Sequence, residues 1–374
     1  MSSSRKSWKK ALLAAGAAGI LAAPMVTSTA SAETAATVAT DGAPGTVDVI
    51  ATGLKNGRGV TPLWNGDILV AESGEGQPGC AVNVQCAGPT GSILRVRNGV
   101  STRVVTGLDS VAAGAAPGAP VVGSGPNNVV PSPDGNGYVV ISTFGGYRNT
   151  AGRDALGANA KTLGTVFRTS DKKVLGDLVK HETDLNPDGG DINANGFNFT
   201  KSGSSILATD AAANDIIRIS PDGSAPISTA FVLPKNHLPN GTDAEAVPTG
   251  AVTDWNGDIY VADMSGGNVG AARIWKIEPG KQPQVLVSGL TNLIDISFDW
   301  DGGLIALSYS DTSINGAPGA SRLYKINTWT KSVNEIPTGG NLKQATGLGV
   351  SIWGDIYVTN NSVGTNGQLV KVNR

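Results

Sequence analysis

Histidine and cysteine are scarce in this chain of 374 residues, which has two of each. The histidines, His181 and His237, give poor support to zinc hydrolysis with a shell of two or three histidines and to histidine-dependent acyl transfer. The sequence also lacks a Gly-x-Ser-x-Gly elbow, a nucleotide-binding loop and a cysteine nucleophile. Several common catalytic classes are therefore disfavoured.

Long apolar runs are equally rare, and the one that stands out covers residues 11–23. It follows four basic residues within 1–10 and precedes the small residues Ala30, Ser31 and Ala32. This arrangement is typical of a secretory signal peptide. Thirteen residues are too few to span a bilayer, which needs about 20. We expect residues 1–32 to be removed near Ala32/Glu33, giving a secreted protein without a membrane anchor.

An excess of positive charge is also missing. The whole chain has 28 basic and 30 acidic residues, and loss of the predicted signal would leave 24 against 30. Binding to a phosphate backbone depends on clustered Lys and Arg. Nucleic acid is therefore not an expected partner.

One pattern recurs six times over residues 46–374, after a predicted flexible segment 33–45. Each unit has a turn residue, an apolar strand start nine or ten residues later, and then a second apolar strand with a basic third residue. The turn residues are Gly59, Asn128, Gly196, Gly250, Asp295 and Gly347. The strand starts are Ile68, Tyr138, Ile206, Ile259, Leu304 and Ile356. The basic residues are Arg95, Arg168, Arg218, Lys276, Lys325 and Lys371.

The repeat predicts an all-β fold, a six-bladed β-propeller of four-stranded antiparallel blades. With 51 glycines and 20 prolines, the chain suits many short strands joined by turns, and a hairpin dipeptide such as Asn65-Gly66 precedes each strand start. Residues 47–54 match the fourth strand of a unit, whereas residues 369–372 match a third strand. We therefore expect the first strand to complete the last blade and remove an open sheet edge.

Segments along nearly the whole of residues 46–374 resemble the ScyD/ScyE family of secreted bacterial proteins. They include GLKNGRGVTPLWNGDILVAESG, CAGPTGSILRV, AARIWKIEPG and VLVSGLTNLIDISFD. The resemblance implies export and a six-bladed propeller related to NHL-type propellers, and it implies little about activity. This chain departs from the usual Pro-Asp-Gly hairpin turn, since three units have Trp-Asn-Gly or Trp-Asp-Gly.

The two cysteines, Cys80 and Cys86, both lie in the long loop of the first unit. In an exported protein they should form a disulfide, and no further ligands lie nearby to favour a thiolate metal site.

The end of the second strand has a side-chain oxygen in every unit. A ring of such oxygens could bind calcium, and each could equally cap its own loop through backbone amides. The six residues are Glu72, Ser142, Asp210, Asp263, Ser308 and Asn360. The metal-ligand candidates among them are Glu72, Asp210, Asp263 and Asn360; no cofactor is certain, and calcium is possible.

A second set of candidates lies at the start of each inner strand, near the propeller axis. Asn128 and Asp295 replace the glycine found in the other units, so their side chains should project toward a ligand, or brace neighbouring blades through water. The residues that precede the turn positions are also mostly polar. The binding candidates among them are Arg58, Asn127, Asn195, Thr249 and Thr346.

Tryptophan recurs at four hairpin turns, on the face opposite the long loops. Exposed indoles could stack on sugars or bind a partner, whereas packing over the junction between blades is the interpretation that we favour here. The residues are Trp64, Trp255, Trp300 and Trp353.

Two functions fit these patterns. The favoured one is a secreted binding or scaffold propeller, without catalysis, that recognises a small molecule, a glycan or a protein. It would do so through the face bearing loops 73–91 and 143–163. The alternative is a calcium-dependent hydrolase, similar to lactonase-type propellers, with the metal on the axis and Asp295 as a candidate base.

Overall fold

The chain forms a six-bladed β-propeller in a computed structural model that describes residues 43–145 and 149–374. The predicted signal peptide and most of the segment 33–45 lie outside the described residues. Each blade is an antiparallel sheet whose four main strands, A to D, run outward from the axis, and a short fifth strand extends the sheet of blade 1. We call the face with the A–B turns the hairpin face and the face with the B–C loops the loop face.

The strand bounds follow the predicted repeat. Blade 1 contains β2 (Gly57–Pro62), β3 (Ile68–Glu72), β4 (Gln85–Arg97), β5 (Val100–Ala113) and the short β6 (Gly123–Ser124). Blade 2 contains β7 (Pro126–Pro131), β8 (Tyr138–Ser142), β9 (Thr165–Arg168) and β10 (Val174–Asp177). Blade 3 contains β11 (Gly196–Ser202), β12 (Ser205–Asp210), β13 (Asp215–Ile219) and β14 (Ser228–Val232).

The second half of the ring continues in the same way. A small hairpin of β15 (Asn236–His237) and β16 (Asp243–Ala244) leads to blade 4, with β17 (Pro248–Thr253), β18 (Ile259–Asp263), β19 (Ala272–Ile277) and β20 (Gln284–Leu290). Blade 5 contains β21 (Leu293–Phe298), β22 (Leu304–Ser308), β23 (Arg322–Ile326) and β24 (Val333–Ile336). Blade 6 contains β25 (Gly347–Val350), β26 (Ile356–Asn360), β27 (Gly367–Val372) and β1 (Val47–Leu54).

Closure of the ring is confirmed. Strand β1 pairs antiparallel with β27, with Val47 opposite Val372 and Leu54 opposite Gly367. The backbone N–H of Asn373 also donates to the carbonyl of Thr46 at 3.0 Å. Both edges of β27 are thereby occupied, which removes a free sheet edge at the junction.

The B strands form the centre of each blade and are buried on both faces. All five residues of β3, β18 and β22 are buried. Neighbouring blades pack face to face, so these strands are nearly continuous apolar runs, as sheets covered on both sides require. The glycine of each predicted hairpin dipeptide has a positive φ, for example 84° at Gly66 and 87° at Gly257.

The basic residues of the C strands brace their own blades. In four blades they form ion pairs with acids of the A–B turn, including Lys276–Asp258 at 2.8 Å and Lys371–Asp355 at 2.9 Å. This contact ties strand C to the turn that begins strand B.

The long loops of blades 1 and 2 pack on the loop face. The predicted disulfide between Cys80 and Cys86 is present, with the two Cα atoms 6.1 Å apart. Two helices, α1 (Thr150–Asp154) and α2 (Leu178–Leu185), follow in blade 2. The Asp177 side chain caps α2 by accepting from the Lys180 N–H at 3.0 Å. Of the helices in the described part of the chain, none is long and apolar enough to cross a membrane.

Candidate functional site

A cavity of about 490 Å³ occupies the propeller axis and faces the hairpin side. The hairpin halves of the A strands from all six blades line it. Its walls are mainly apolar and include Val60, Val130, Phe199, Val252, Ile296 and Val350. The A strands approach one another most closely at the axis, so a single ligand in this space would contact every blade.

Three polar side chains form the floor of this cavity. The Asn128 amide donates to Asn198 Oδ1 at 2.5 Å, and the Asn198 amide donates to Asp295 Oδ1 at 3.0 Å. The backbone N–H of Leu348, in blade 6, donates to Asp295 Oδ2 at 2.9 Å. These contacts join blades 2, 3, 5 and 6 directly, so the water-mediated bracing considered from the sequence is not needed. We call these three residues the axial triad.

Asn198 was missed from the sequence. It faces the penultimate residue of its B strand, Thr209, just as Asn128 faces Ile141 and Asp295 faces Leu307. The prediction that Gly196 is the equivalent axial position in blade 3 was therefore wrong by two residues. The physical reason is that the hairpin of blade 3 has a short turn, with only two residues between the paired Ser202 and Ser205, which brings the axial position closer to the strand start. This short turn was the signal in the sequence that could have identified Asn198.

Glycines at the equivalent positions of the other blades make room for the axial triad. A Cβ atom on Gly250 would lie 2.7 Å from Asp295 Oδ1, and one on Gly59 would lie 2.7 Å from Asn128 Oδ1. Both distances are shorter than a nonbonded contact allows. The glycine pattern read from the sequence thus serves the packing of the triad around the axis.

The Asp295 carboxyl is buried. Among residues 43–145 and 149–374, its partners are the Asn198 amide and the N–H groups of Ile296 and Leu348. Burial raises the pKa of Asp295 to about 7, and these three donors offset only part of that effect. The floor of the cavity can therefore change its charge near neutral pH.

Several binding candidates near the loop face connect adjacent blades. Thr249 Oγ1 donates to the Leu293 carbonyl at 3.0 Å. Thr346 Oγ1 donates to the Gly57 carbonyl at 2.7 Å. These hydroxyls link blade 4 to blade 5 and blade 6 to blade 1.

The two candidate asparagines on this side also make direct contacts between blades. Asn127 Nδ2 donates to the Phe197 carbonyl at 2.5 Å. Asn195 Oδ1 accepts from the N–H groups of Phe144 and Gly145 at 3.3 and 3.1 Å. Both amides therefore join blade 2 to blade 3.

Arg58 lies among these contacts. Its guanidinium donates to the carbonyls of Gly123 at 3.0 Å and Ser362 at 3.4 Å. Burial lowers the pKa of Arg58 to about 10. Its side chain belongs to the loop end of the axis, apart from the axial triad.

Two of the metal-ligand candidates at the ends of the B strands, Glu72 and Asp263, bond to side chains of their own blades. Glu72 accepts from Arg103 twice at 2.8 Å and from Ser92 Oγ at 2.6 Å. Asp263 accepts from Arg273 Nε at 2.9 Å and Trp275 Nε1 at 3.0 Å.

The other two metal-ligand candidates cap loops. Asp210 accepts from the N–H groups of Asn195, Ala212 and Ala213, and burial raises its pKa to about 6. Asn360 accepts from the Lys343 N–H at 2.7 Å. Within the described residues, no group of three or more His, Cys, Asp or Glu side chains is placed to hold a metal ion.

The tryptophans of the hairpin turns are exposed. The predicted packing over blade junctions is wrong, because between 63% and 92% of the surface of these residues remains accessible. Trp300 lies close to Gly354, in the turn of the next blade, and is still 72% accessible. The residues are Trp64, Trp255, Trp300 and Trp353.

Comparison with known proteins supports the fold alone. A protein of unknown function from Bacteroides thetaiotaomicron is 10% identical, with a TM-score of 0.52, and the match covers 88% of this chain and 72% of that one. A glucose dehydrogenase is 12% identical, with a TM-score of 0.51 and coverage of 88% and 99%. A virginiamycin B lyase from Staphylococcus aureus with quinupristin is 13% identical, with a TM-score of 0.48, and the match covers 87% of this chain and 98% of that one.

No protein-family model matches the chain, and no curated protein matches it. The resemblance to the ScyD/ScyE family thus stays a prediction from sequence.

Proposed function

We propose that this chain is an exported binding propeller that takes one small, mainly apolar ligand in the axial cavity. The observation that supports this is the convergence of all six A strands on a space with apolar walls and a polar floor. A volume of about 490 Å³ falls in the range of small-molecule sites. Export rests on the signal pattern at residues 1–32 and agrees with the disulfide.

The axial triad has unused hydrogen-bonding capacity. Each amide nitrogen of Asn128 and Asn198 has two N–H groups and uses one of them within the triad. Asp295 receives three donors, whereas an ionised carboxylate offers about four acceptor positions. The floor can thus offer two donors and one acceptor to a hydroxyl or carbonyl group. The apolar walls would supply most of the binding free energy, and the floor would orient the ligand.

The calcium-dependent hydrolase has no observation in its favour beyond the original pattern. Its proposed ligands Glu72, Asp210, Asp263 and Asn360 make hydrogen bonds to their own loops and strands. A binding role needs only the cavity, and for that reason we prefer it. Recognition through the loop-bearing face stays a prediction beside the axial site.

A neutral fluorescent probe, N-phenyl-1-naphthylamine, tests the axial site. Ser297 lines the cavity, so Ser297→Trp should fill it and weaken probe binding at least about tenfold, measured by fluorescence titration. Ser101→Trp, at an exposed position of β5 in blade 1, is the matched control and should bind as the unmodified protein does. Binding that does not saturate, or that Ser297→Trp leaves unchanged, would contradict an axial ligand site.

A further inference from the structure

A second cavity, of about 660 Å³, lies on the hairpin face between blades 4 and 5. Three turns surround it, at residues 253–258, 298–303 and 327–329. Each turn contributes an exposed indole, and Trp329, which the sequence repeat did not single out, is 93% exposed. Tyr260 and Phe298 lie beneath them in an edge-to-face contact with ring centres 5.6 Å apart. We call this cavity, with Trp255, Trp300 and Trp329, the indole groove.

The backbone that presents each indole is fixed by a side-chain oxygen one or two residues earlier. Asp254 Oδ1 accepts from the N–H groups of Asn256 and Asp258, each at 2.9 Å, which closes the turn around Trp255. Asp299 Oδ1 accepts from the Trp300 N–H at 2.9 Å. Asn327 Oδ1 does the same for Trp329 at 2.9 Å. The three indoles are thus mounted on ordered turns, which lowers the entropic cost of binding.

Fixed polar groups lie between the indoles. Lys276 pairs with Asp258 at 2.8 Å, and Lys325 pairs with Asp299 and Asp301 at 2.5 Å each. Four carboxylates and two lysines line the groove, the fourth acid being Asp254. This charge balance disfavours phosphate-rich partners and anionic lipid surfaces, which need clustered cations.

From these features we propose that the indole groove binds a neutral polysaccharide. The apolar C–H face of a sugar ring can stack on an indole, and its hydroxyls can bond to the fixed carboxylates and lysines. Three indoles on three turns offer separate platforms to successive sugars of one chain. Three exposed indoles grouped on one face form an apolar patch, and exposed apolar patches mark binding sites. The groove is distinct from the axial cavity, so this site does not depend on the proposed axial ligand.

The full chain should be tested by affinity electrophoresis and calorimetry against soluble neutral polysaccharides: a mixed-linkage β-glucan, xyloglucan, galactomannan and amylopectin. We expect at least one of them to bind. Replacing Trp255, Trp300 or Trp329 by Ala should weaken that binding about tenfold each, because every variant removes one stacking face. Trp64→Ala is the matched control, since Trp64 is an exposed turn indole of blade 1 outside the groove, and it should leave the affinity unchanged.

Other outcomes would overturn this proposal. They are failure of all four polysaccharides to bind, equal weakening by Trp64→Ala, or binding to phosphatidylcholine vesicles with no polysaccharide binding. The Ser297→Trp variant separates the two sites, because it should lose the naphthylamine probe and keep the polysaccharide. Unfolding midpoints of the tryptophan variants should match that of the unmodified protein, since the replaced side chains are exposed.

Discussion

Asp295 should make the protein less stable as pH rises from about 4 to about 7. Its pKa is raised from an ordinary 3.8 to about 7 by burial in the folded state. Between these values the folded protein holds a proton that the unfolded chain has released. The stabilisation is therefore complete below the ordinary pKa and is lost as pH approaches 7. A difference of roughly three units between the pKa values of the folded and unfolded states corresponds to about 4 kcal/mol of unfolding free energy.

The substitution Asp295→Asn isolates this effect. The neutral amide cannot ionise, so the variant should become more stable relative to the unmodified protein as pH rises, by up to about 4 kcal/mol. A pH-independent offset of about 1–3 kcal/mol should oppose it, because one N–H of Ile296 or Leu348 loses its acceptor. Asp210 shifts in the same direction in both proteins, so the comparison cancels its contribution.

Urea unfolding followed by tryptophan fluorescence at pH 4.5, 6 and 8 measures this difference. Exposed Asp154→Asn serves as the control for the substitution itself. A constant difference for Asp295→Asn would refute the burial of this carboxyl at the cavity floor.

Three further predictions concern closure, the disulfide and calcium. Leu54→Ala should lower the unfolding free energy by about 3 kcal/mol in urea titration, because Leu54 is fully buried where blade 6 meets blade 1; a loss below about 1 kcal/mol would contradict that packing. Replacing Cys80 and Cys86 by Ser should cost about 2 kcal/mol in calorimetry, since the closed loop is short, and under reducing conditions this difference from the unmodified protein should disappear because that protein then loses its disulfide too. Glu72→Gln should cost about 2 kcal/mol by weakening the contact with Arg103. Calcium should leave the melting temperature unchanged in both forms, and a rise in the unmodified protein alone would restore the calcium hypothesis.

The sequence predicts the fold well because each blade is specified locally. Apolar strand starts, hairpin dipeptides and basic third residues all follow from contacts within one sheet, and β1 was identified by its likeness to other D strands. The predicted axial position in blade 3 was wrong because Gly196 is a glycine and lies ten residues before the strand start Ile206, a separation that fits the repeat. A shorter hairpin moved the true position to Asn198.

The candidate site was predictable only in part. Asn128 and Asp295 were identified because they interrupt a row of glycines, and the structure brings them together through Asn198. An oxygen at the end of strand B is expected both for a loop cap and for a metal ligand. Only the direction of the side chain distinguishes a loop cap from a metal ligand, and the Glu72 side chain points to Arg103. The indole groove combines turns from separate hairpins, including Trp329, which has no counterpart in the repeat.

The pairing of β1 with β27 has a consequence for biogenesis. Strand β1 is synthesised before every other described strand and its partner after all of them, so blade 6 can assemble only when the intervening chain has emerged. Until then the apolar side chains of β1, including Ala51 and Leu54, lack their partner strand and can pack only against blade 1. An incomplete blade 6 exposes apolar surface, and exposed apolar surface favours aggregation during folding. The ring thus couples the synthesis of β27 to protection of β1.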